Sequence, residues 1–128
     1  MKKGKSLSWF KKKADEVFSE YIRRRDKGIC FTCGNQKRWQ DQDCGHYISR
    51  QYNELRYDER NANCQCKHCN VFRWGNLDEY AIKLIRKYGI RILEEFWKRK
   101  HFKGKIFKTI DLEEIIKTYK RRIKDLEE

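Results

Sequence analysis

Two matched cysteine pairs constrain this chain more than any other feature. Cys30-Phe31-Thr32-Cys33 and Cys66-Lys67-His68-Cys69 each hold two residues between their cysteines, and 32 residues lie between the pairs. Two C-x-x-C units in one chain read as a tetrahedral four-cysteine zinc site. His68, inside the second pair, and Cys64, two residues before Cys66, are alternative ligands at this level, and free reduced thiols are the other reading. A metal would compensate for a small core. Charged residues make up 40% of the chain and hydrophobic residues 38%, so little apolar area is available for burial. Structural zinc contributes roughly 10–16 kcal/mol of apparent folding free energy in small zinc domains. The remaining cysteines, Cys44 and Cys64, are expected to be small buried residues.

A chain of 128 residues without proline, low-complexity linker or internal repeat is expected to be a single domain, 1–128. No apolar run of 18 residues occurs, and no signal-peptide core follows Lys2-Lys3, so no membrane association is expected. Without a secretory signal, six cysteines argue for metal binding in the cytoplasm rather than for a disulfide framework. Lysine and arginine exceed aspartate and glutamate by 13. That excess predicts attraction to a polyanion, above all nucleic acid.

The expected architecture is α+β. Leu7, Phe10, Ala14, Val17, Phe18 and Tyr21 share one helical face within an N-terminal helix in residues 1–28, ended by Gly28. Residues 29–76 form the cysteine-bearing unit. Gly34-Asn35 marks a turn after the first pair, short extended pieces are expected at Arg38–Gln42 and Gly45–Ser49, and Arg50–Arg60 reads as a loop. A short helix should begin near Cys69. Residues 77–128 are helical. Leu77, Tyr80, Ala81, Leu84, Ile85 and Tyr88 mark one helix closed by Gly89, and Ile90–Trp97 a continuation. A basic connector then runs from Lys98 to Lys105. The last helix carries Leu112, Ile115, Ile116, Tyr119, Ile123 and Leu126, with Asp111 as its N-cap and Glu114 as the acidic third residue. The apolar stripes of the first and last helices suit either a core or a face of a homodimer.

The segment between the cysteine pairs holds residues suited to phosphodiester hydrolysis. That reaction needs a base for water, a cation for developing charge, and a group that holds the base in its tautomer. His46 is the candidate base and Asn61 the candidate orienting amide. Asp43 and Asn70 are oxygen donors that suit a hard ion such as Mg²⁺ or Mn²⁺. On a regular strand positions 43 and 46 face opposite sides, so this ligand set needs a bulge or bend near Gly45. Asp41 is the fallback ligand, and the other reading of Asn70 is a helix N-cap. A closed four-cysteine site has no open coordination position, so the zinc is structural and not catalytic.

The order Cys30-x-x-Cys33, Gly45-His46-Tyr47, Asn61, Cys66-x-x-Cys69-Asn70 resembles the HNH endonucleases, the ββα-metal or His-Me group. Asparagine directly after the last cysteine resembles the variant in phage endonuclease VII. Residues from about Ala14 to Gly89 resemble the phage NinG family of recombination proteins, also called Rap. The carrying residues are Cys30-x-x-Cys33-Gly34, Asp43-Cys44-Gly45-His46-Tyr47, Leu55-Arg56-Tyr57-Asp58-Glu59-Arg60-Asn61, Gln65-Cys66-x-x-Cys69-Asn70 and Gly75-Asn76-Leu77. The resemblance implies a zinc-pinned, treble-clef-like core at 29–76, with a hairpin ending at the catalytic histidine, a loop, and a helix carrying the last metal ligand. It also implies a structure-specific endonuclease acting on D-loops and Holliday junctions in the host cytoplasm, with His46 as general base, Asn61 as the middle asparagine and Asn70 as the last ligand. One departure is Gly45, which stands where the wider group often carries a ligand before the base.

DNA contacts are expected from Arg50, Arg56, Arg60, Arg73, Lys98, Arg99, Lys100, Lys103 and Lys105, through phosphates or through stacking with nearby tyrosines. The run from Lys98 to Lys105 also reads as a solvated charge face. Two non-catalytic readings stand beside the nuclease. One is a zinc-knuckle DNA-binding module, and the other a zinc-stabilised protein-interaction domain. His46 with Asn61 and Asn70 is what a pure binder does not need.

Overall fold

Helix α1 (Leu7–Arg25) forms where the apolar spacing places it, and the Ser6 side chain caps it by accepting the Trp9 N–H at 3.1 Å. The computed structural model describes residues 4–102 and 104–127. Phe10, Ala14, Val17, Phe18, Tyr21 and Ile22 are buried along one face. Arg23, Arg24 and Arg25 close the last turn, where cations complement the helix dipole. Gly28 ends the segment with φ +70°, and a side chain there would meet the Lys37 carbonyl oxygen at 1.9 Å. Only glycine meets both conditions.

Strand β1 (Asp43–His46) pairs antiparallel with β2 (Ala62–Gln65) in the register Asp43–Gln65, Cys44–Cys64, Gly45–Asn63 and His46–Ala62. These two strands are the sheet found among the described residues. The fold departs from the sequence-based expectation in several places. Arg38–Gln42 is not extended. Trp39–Asp41 forms a tight 3₁₀ turn, with the Trp39 ring 5.0 and 4.5 Å from the guanidinium groups of Arg23 and Arg24. The strand expected at Gly45–Ser49 runs two to three residues earlier. Its partner lies beyond a long loop, so β1 and β2 are not joined by a tight turn. That loop carries one helical turn, α2 (Asn53–Arg56), where the sequence predicts only a loop. The short helix near Cys69 is a single wide turn, His68–Phe72, closed by the Arg73 N–H on the His68 carbonyl at 2.9 Å.

Helix α3 (Leu77–Tyr88) ends at Gly89, α4 covers Ile92–His101, and α5 covers Thr109–Leu126. The basic run is therefore split. Lys98 to His101 form the last turn of α4, while Lys105 lies between α4 and α5. Asp111 is not the N-cap of α5 but its third residue, accepting the Lys108 N–H at 2.8 Å.

The small sheet lies between two cores because its side chains alternate. On one side, Ala62 and Cys44 meet α1 and α5, where Phe18 packs edge-on to Tyr119 and Tyr57. On the other, the Tyr80 hydroxyl donates to the Gly45 carbonyl at 2.6 Å and accepts from Asn63 at 3.1 Å. Leu55, Leu84, Ile92 and Phe96 complete that second core. The stripes of α1 and α5 cover each other within one chain, so they are not needed as a dimer face. Among the described residues, no helix is long and apolar enough to cross a membrane.

Candidate active site and metal centre

The four sulfurs of Cys30, Cys33, Cys66 and Cys69 lie within 4.8 Å of one another. Cys33 and Cys66 are 3.7 Å apart. Zn–S bonds of about 2.3 Å in a tetrahedron place sulfurs about 3.8 Å apart, so the donor set fits zinc in number, softness and size. Amide and hydroxyl groups support the sulfurs. The Cys69 N–H donates to Cys66 Sγ at 3.4 Å, Asn76 Nδ2 reaches Cys69 Sγ at 3.6 Å, and Thr32 Oγ1 lies 3.3 Å from Cys30 Sγ. Such contacts stabilise thiolates and orient metal ligands. Burial pushes the Cys30 thiol up, but hydrogen bonds from Thr32 and from the backbone of Cys66 and Cys33 outweigh it and bring it down to about 6. His68 is exposed and outside the cluster, and Cys64, which is buried, is also outside it, with Cys44 as its neighbour across the sheet. Burial holds both of those thiols up at about 12, as suits small packed side chains.

Beside this centre a polar cleft of about 550 Å³ is lined by Asp43, His46 and Asn70, together with Arg23, Gln42 and Arg50. The expected bulge is absent, since β1 keeps regular register through Gly45. Asp43 and His46 still line one cleft because β1 has an edge that no strand among the described residues covers, and residues of both faces open there. The glycine at 45 serves a different purpose. A side chain would meet Gln65 Oε1 at 1.8 Å. Gln65 is itself tied to Thr32 and to the Gly75 carbonyl, so it cannot easily yield.

His46 Nε2 lies 2.9 Å from the Arg56 carbonyl oxygen. A carbonyl only accepts, so this nitrogen carries the proton and Nδ1 keeps its lone pair. Burial lowers the imidazole from its usual 6.5 to about 4, and the Arg50 and Arg56 charges push the same way against Asp15. The ring is thus neutral at pH 7. Its protonation should be seen by NMR near pH 4. Because the folded state binds this proton less well than the unfolded chain, stability should be complete above pH 6.5 and fall as pH drops towards 4. A His46 ring that titrates at 6.5 would overturn this assignment.

Asn61 is fully buried but does not touch His46 through its amide. Its Oδ1 accepts the Ile48 N–H at 2.8 Å, and its Nδ2 donates to the carbonyls of Ile48 and Leu55 at 3.0 and 3.1 Å. Asn61 therefore fixes the loop, and the carbonyl of Arg56 in that loop orients His46. Asp43 and Asn70 meet, with Asn70 Nδ2 donating to Asp43 Oδ2 at 3.1 Å, while Lys67 Nζ holds Asp43 Oδ1 at 2.7 Å. The two side chains thus meet in the cleft, through the Asn70 nitrogen, and the Asn70 amide has to turn for its oxygen to join Asp43 on an ion. Nearby, buried Gln42 keeps an Oε1 without a hydrogen-bond partner. Asp41 pairs with Arg38 on the surface and does not line the cleft. Asn70 lies within the wide turn, so the N-cap reading does not hold.

The expected DNA contacts divide. Arg56 is committed to Asp15, at 3.0 and 2.5 Å, and Arg60 and Arg99 to Asp58 and Glu95. Those three hold the loop. Arg50 lines the cleft 3.4 Å from Asp15, and Arg73 is exposed. Lys98 pairs with Glu94, Lys100 lies over the Tyr52 ring, Lys105 lies over the Phe107 ring, and Lys103 falls outside the described residues. Arg23 is a site residue that the sequence motifs do not single out. It lines the cleft from α1 and is steadied by Ser19 Oγ at 3.1 Å, with no carboxylate partner among the described residues. The available signal is that Ser19 and Arg23, four residues apart, share a polar face beside the apolar stripe.

The model of the NinG family, described as Bacteriophage Lambda NinG protein, matches residues 1–128. The protein ninG of Salmonella phage P22 is 33% identical over 126 residues, covering 95% of this chain and 60% of that protein. The ninG proteins of Escherichia phages 933W and lambda are 36% and 35% identical over 95 residues. These matches cover 71% of this chain and 46% and 45% of the two relatives. The chain thus spans about half the length of the curated relatives it matches. No solved structure matches it.

Proposed function

This chain belongs to the NinG family, and from that premise we propose that it is a metal-dependent endonuclease that hydrolyses phosphodiesters in branched DNA such as D-loops and Holliday junctions. One observation carries the reading. A neutral histidine, with Nε2–H held by a backbone carbonyl, opens onto the same cleft as a paired carboxylate and amide and two guanidinium groups. A DNA-binding module has no use for a histidine prepared in this way.

His46 Nδ1 takes a proton from water, whose oxygen attacks phosphorus as the bond to the leaving oxygen breaks. The Arg56 carbonyl holds the ring throughout and accepts a stronger hydrogen bond once the imidazole is charged. Arg23 and Arg50 bind the phosphate oxygens. Asp43 and Asn70 would hold a divalent ion of the Mg²⁺ or Mn²⁺ type, which takes up charge on the phosphate and leaving oxygen. The four cysteines would hold structural zinc, and zinc on Cys69 would fix the neighbouring Asn70.

The test is to incubate zinc-loaded protein with linear duplex, a D-loop and a four-way junction, with and without Mg²⁺. Cleavage of the branched substrates only with Mg²⁺ is expected. Tight binding with no cleavage under any divalent ion would leave the non-catalytic DNA-binding module instead.

A further inference from the structure

Beyond Asn70 the wide turn carries three large apolar residues outward. Val71 is 54% exposed, Phe72 71% and Trp74 86%. Nothing among the described residues covers them, although the backbone of the same turn is held by several hydrogen bonds. The Gly75 N–H donates to the Cys69 carbonyl at 2.9 Å, the Gly75 carbonyl accepts from buried Gln65 at 2.9 Å, and the Asn76 N–H donates to the Arg73 carbonyl at 2.8 Å. Trp74 also sits at φ +48°, followed by Gly75 at +92° and Asn76 at +50°. A bulky aromatic in left-handed backbone is a genuine outlier, maintained here by anchors on both sides.

We propose that Phe72 and Trp74 form a rigid stacking platform for unpaired DNA bases, set directly beside the cleft that holds His46. The proposal rests on the nucleic-acid reading of that cleft and adds which feature of the DNA is recognised. Three observations select a base as the occupant. The platform begins two residues after Asn70, which lines the cleft, and exposed Arg73 lies between Phe72 and Trp74 in the chain, a cation for the phosphate of a stacked nucleotide. The groove behind the rings is lined by Asp78 and Glu79. Carboxylates repel a phosphate but accept hydrogen bonds from the amino groups on base edges. Finally, a base in a regular duplex is stacked on both faces, so only an unpaired or splayed base offers a free face to an aromatic ring. Recognition of this kind favours junctions, gaps and displaced strands over continuous duplex.

The experiment measures binding of zinc-loaded protein, without added divalent ion, by fluorescence anisotropy to two labelled DNAs. One is a fully paired duplex, and the other the same duplex with a three-nucleotide bulge. Phe72→Ala and Trp74→Ala remove exposed rings, so their fold and metal content should match the parent. Each should weaken binding to bulged DNA by roughly 5- to 150-fold, the usual effect of one lost stacking ring, and leave duplex affinity unchanged. Trp74→Tyr should restore most of the loss. Unchanged affinity of both alanine variants for bulged DNA, with the parent binding it, overturns the platform while leaving the cleft reading in place. Equal loss on both DNAs also overturns it, making the turn a backbone contact. If the variants change only the parent's self-association in sedimentation, the patch belongs to a second copy of the chain. If the parent binds neither DNA, the platform falls together with the nuclease reading.

Discussion

Cys69→Ser should leave the protein without bound metal and without a cooperative thermal transition. Cys30, Cys66 and Cys69 form a separate buried cluster with no larger apolar residue in it. In its place stand four cysteine sulfurs within 4.8 Å of one another, a set that could hold one metal ion. Structural zinc contributes roughly 10–16 kcal/mol of apparent folding free energy. Whole domains are stable by only about 5–15 kcal/mol. Loss of one ligand therefore removes an amount comparable to the total. The effect should reach both cores, because the Phe31 N–H is bonded to the Cys64 carbonyl of β2 and the Gly75 carbonyl to Gln65. Elemental analysis should give about one zinc per parent chain, and circular dichroism should show the variant unfolded at temperatures where the parent is folded. Cys64→Ser and Cys44→Ser are the controls. Both cysteines lie outside the sulfur cluster, so both variants should keep their metal. A Cys69→Ser protein that melts like the parent would remove zinc from the account of this fold.

His46→Ala should preserve fold, zinc and DNA binding while cleavage falls by about 10²- to 10⁴-fold, the usual contribution of a positioned general base. The ring is bonded to one carbonyl and lies beside Phe18, so its loss removes little of either core. The comparison that separates base from ligand is divalent-ion rescue. Asn70→Ala and Asp43→Ala weaken the hold on the catalytic cation, so higher concentrations should recover part of their activity by mass action. His46→Ala lacks a proton acceptor, which no cation supplies, and should show no recovery. Full activity in a homogeneous His46→Ala preparation would end this mechanism. Full activity in Asp43→Ala alone would move the ligand role elsewhere without touching the base.

Features that depend on short-range spacing are legible in the sequence. The C-x-x-C turns name their four ligands, because two residues between cysteines let one turn present both sulfurs. Helices α1, α3 and α5 follow from apolar residues recurring with the helical period, and Gly28 and Gly89 mark ends where φ is positive. The strands are harder to place. Ala62-Asn63-Cys64-Gln65 alternates apolar and polar residues but has no β-branched one, and its alternation suggests a solvated face, whereas β2 is buried on both faces with its polar side chains bonded inside the protein. Trp39 and its neighbours turn instead of extending because two arginines of α1 hold the ring.

The sequence by itself determined the two cysteine pairs that cluster, the main helices and the presence of one histidine between those pairs with hard oxygen donors beside it. Only the tertiary structure decided how that histidine is used. Its proton is placed by the carbonyl of Arg56, ten residues away, and not by the side chain of Asn61. Asp43 meets Asn70 across 27 residues, and Arg23 arrives from the polar side of a helix whose apolar stripe packs in the core. The arginines illustrate the same division. Composition counts Arg50, Arg56, Arg60 and Arg99 as equal cations, but all four meet carboxylates that lie near only once the chain is folded, and of the four only Arg50, 3.4 Å from Asp15, also lines the cleft. The physical reason is one of range. Periodicity, turns and caps act over a few residues and leave a local imprint, whereas a hydrogen bond or ion pair depends on distance in space, which no local pattern records.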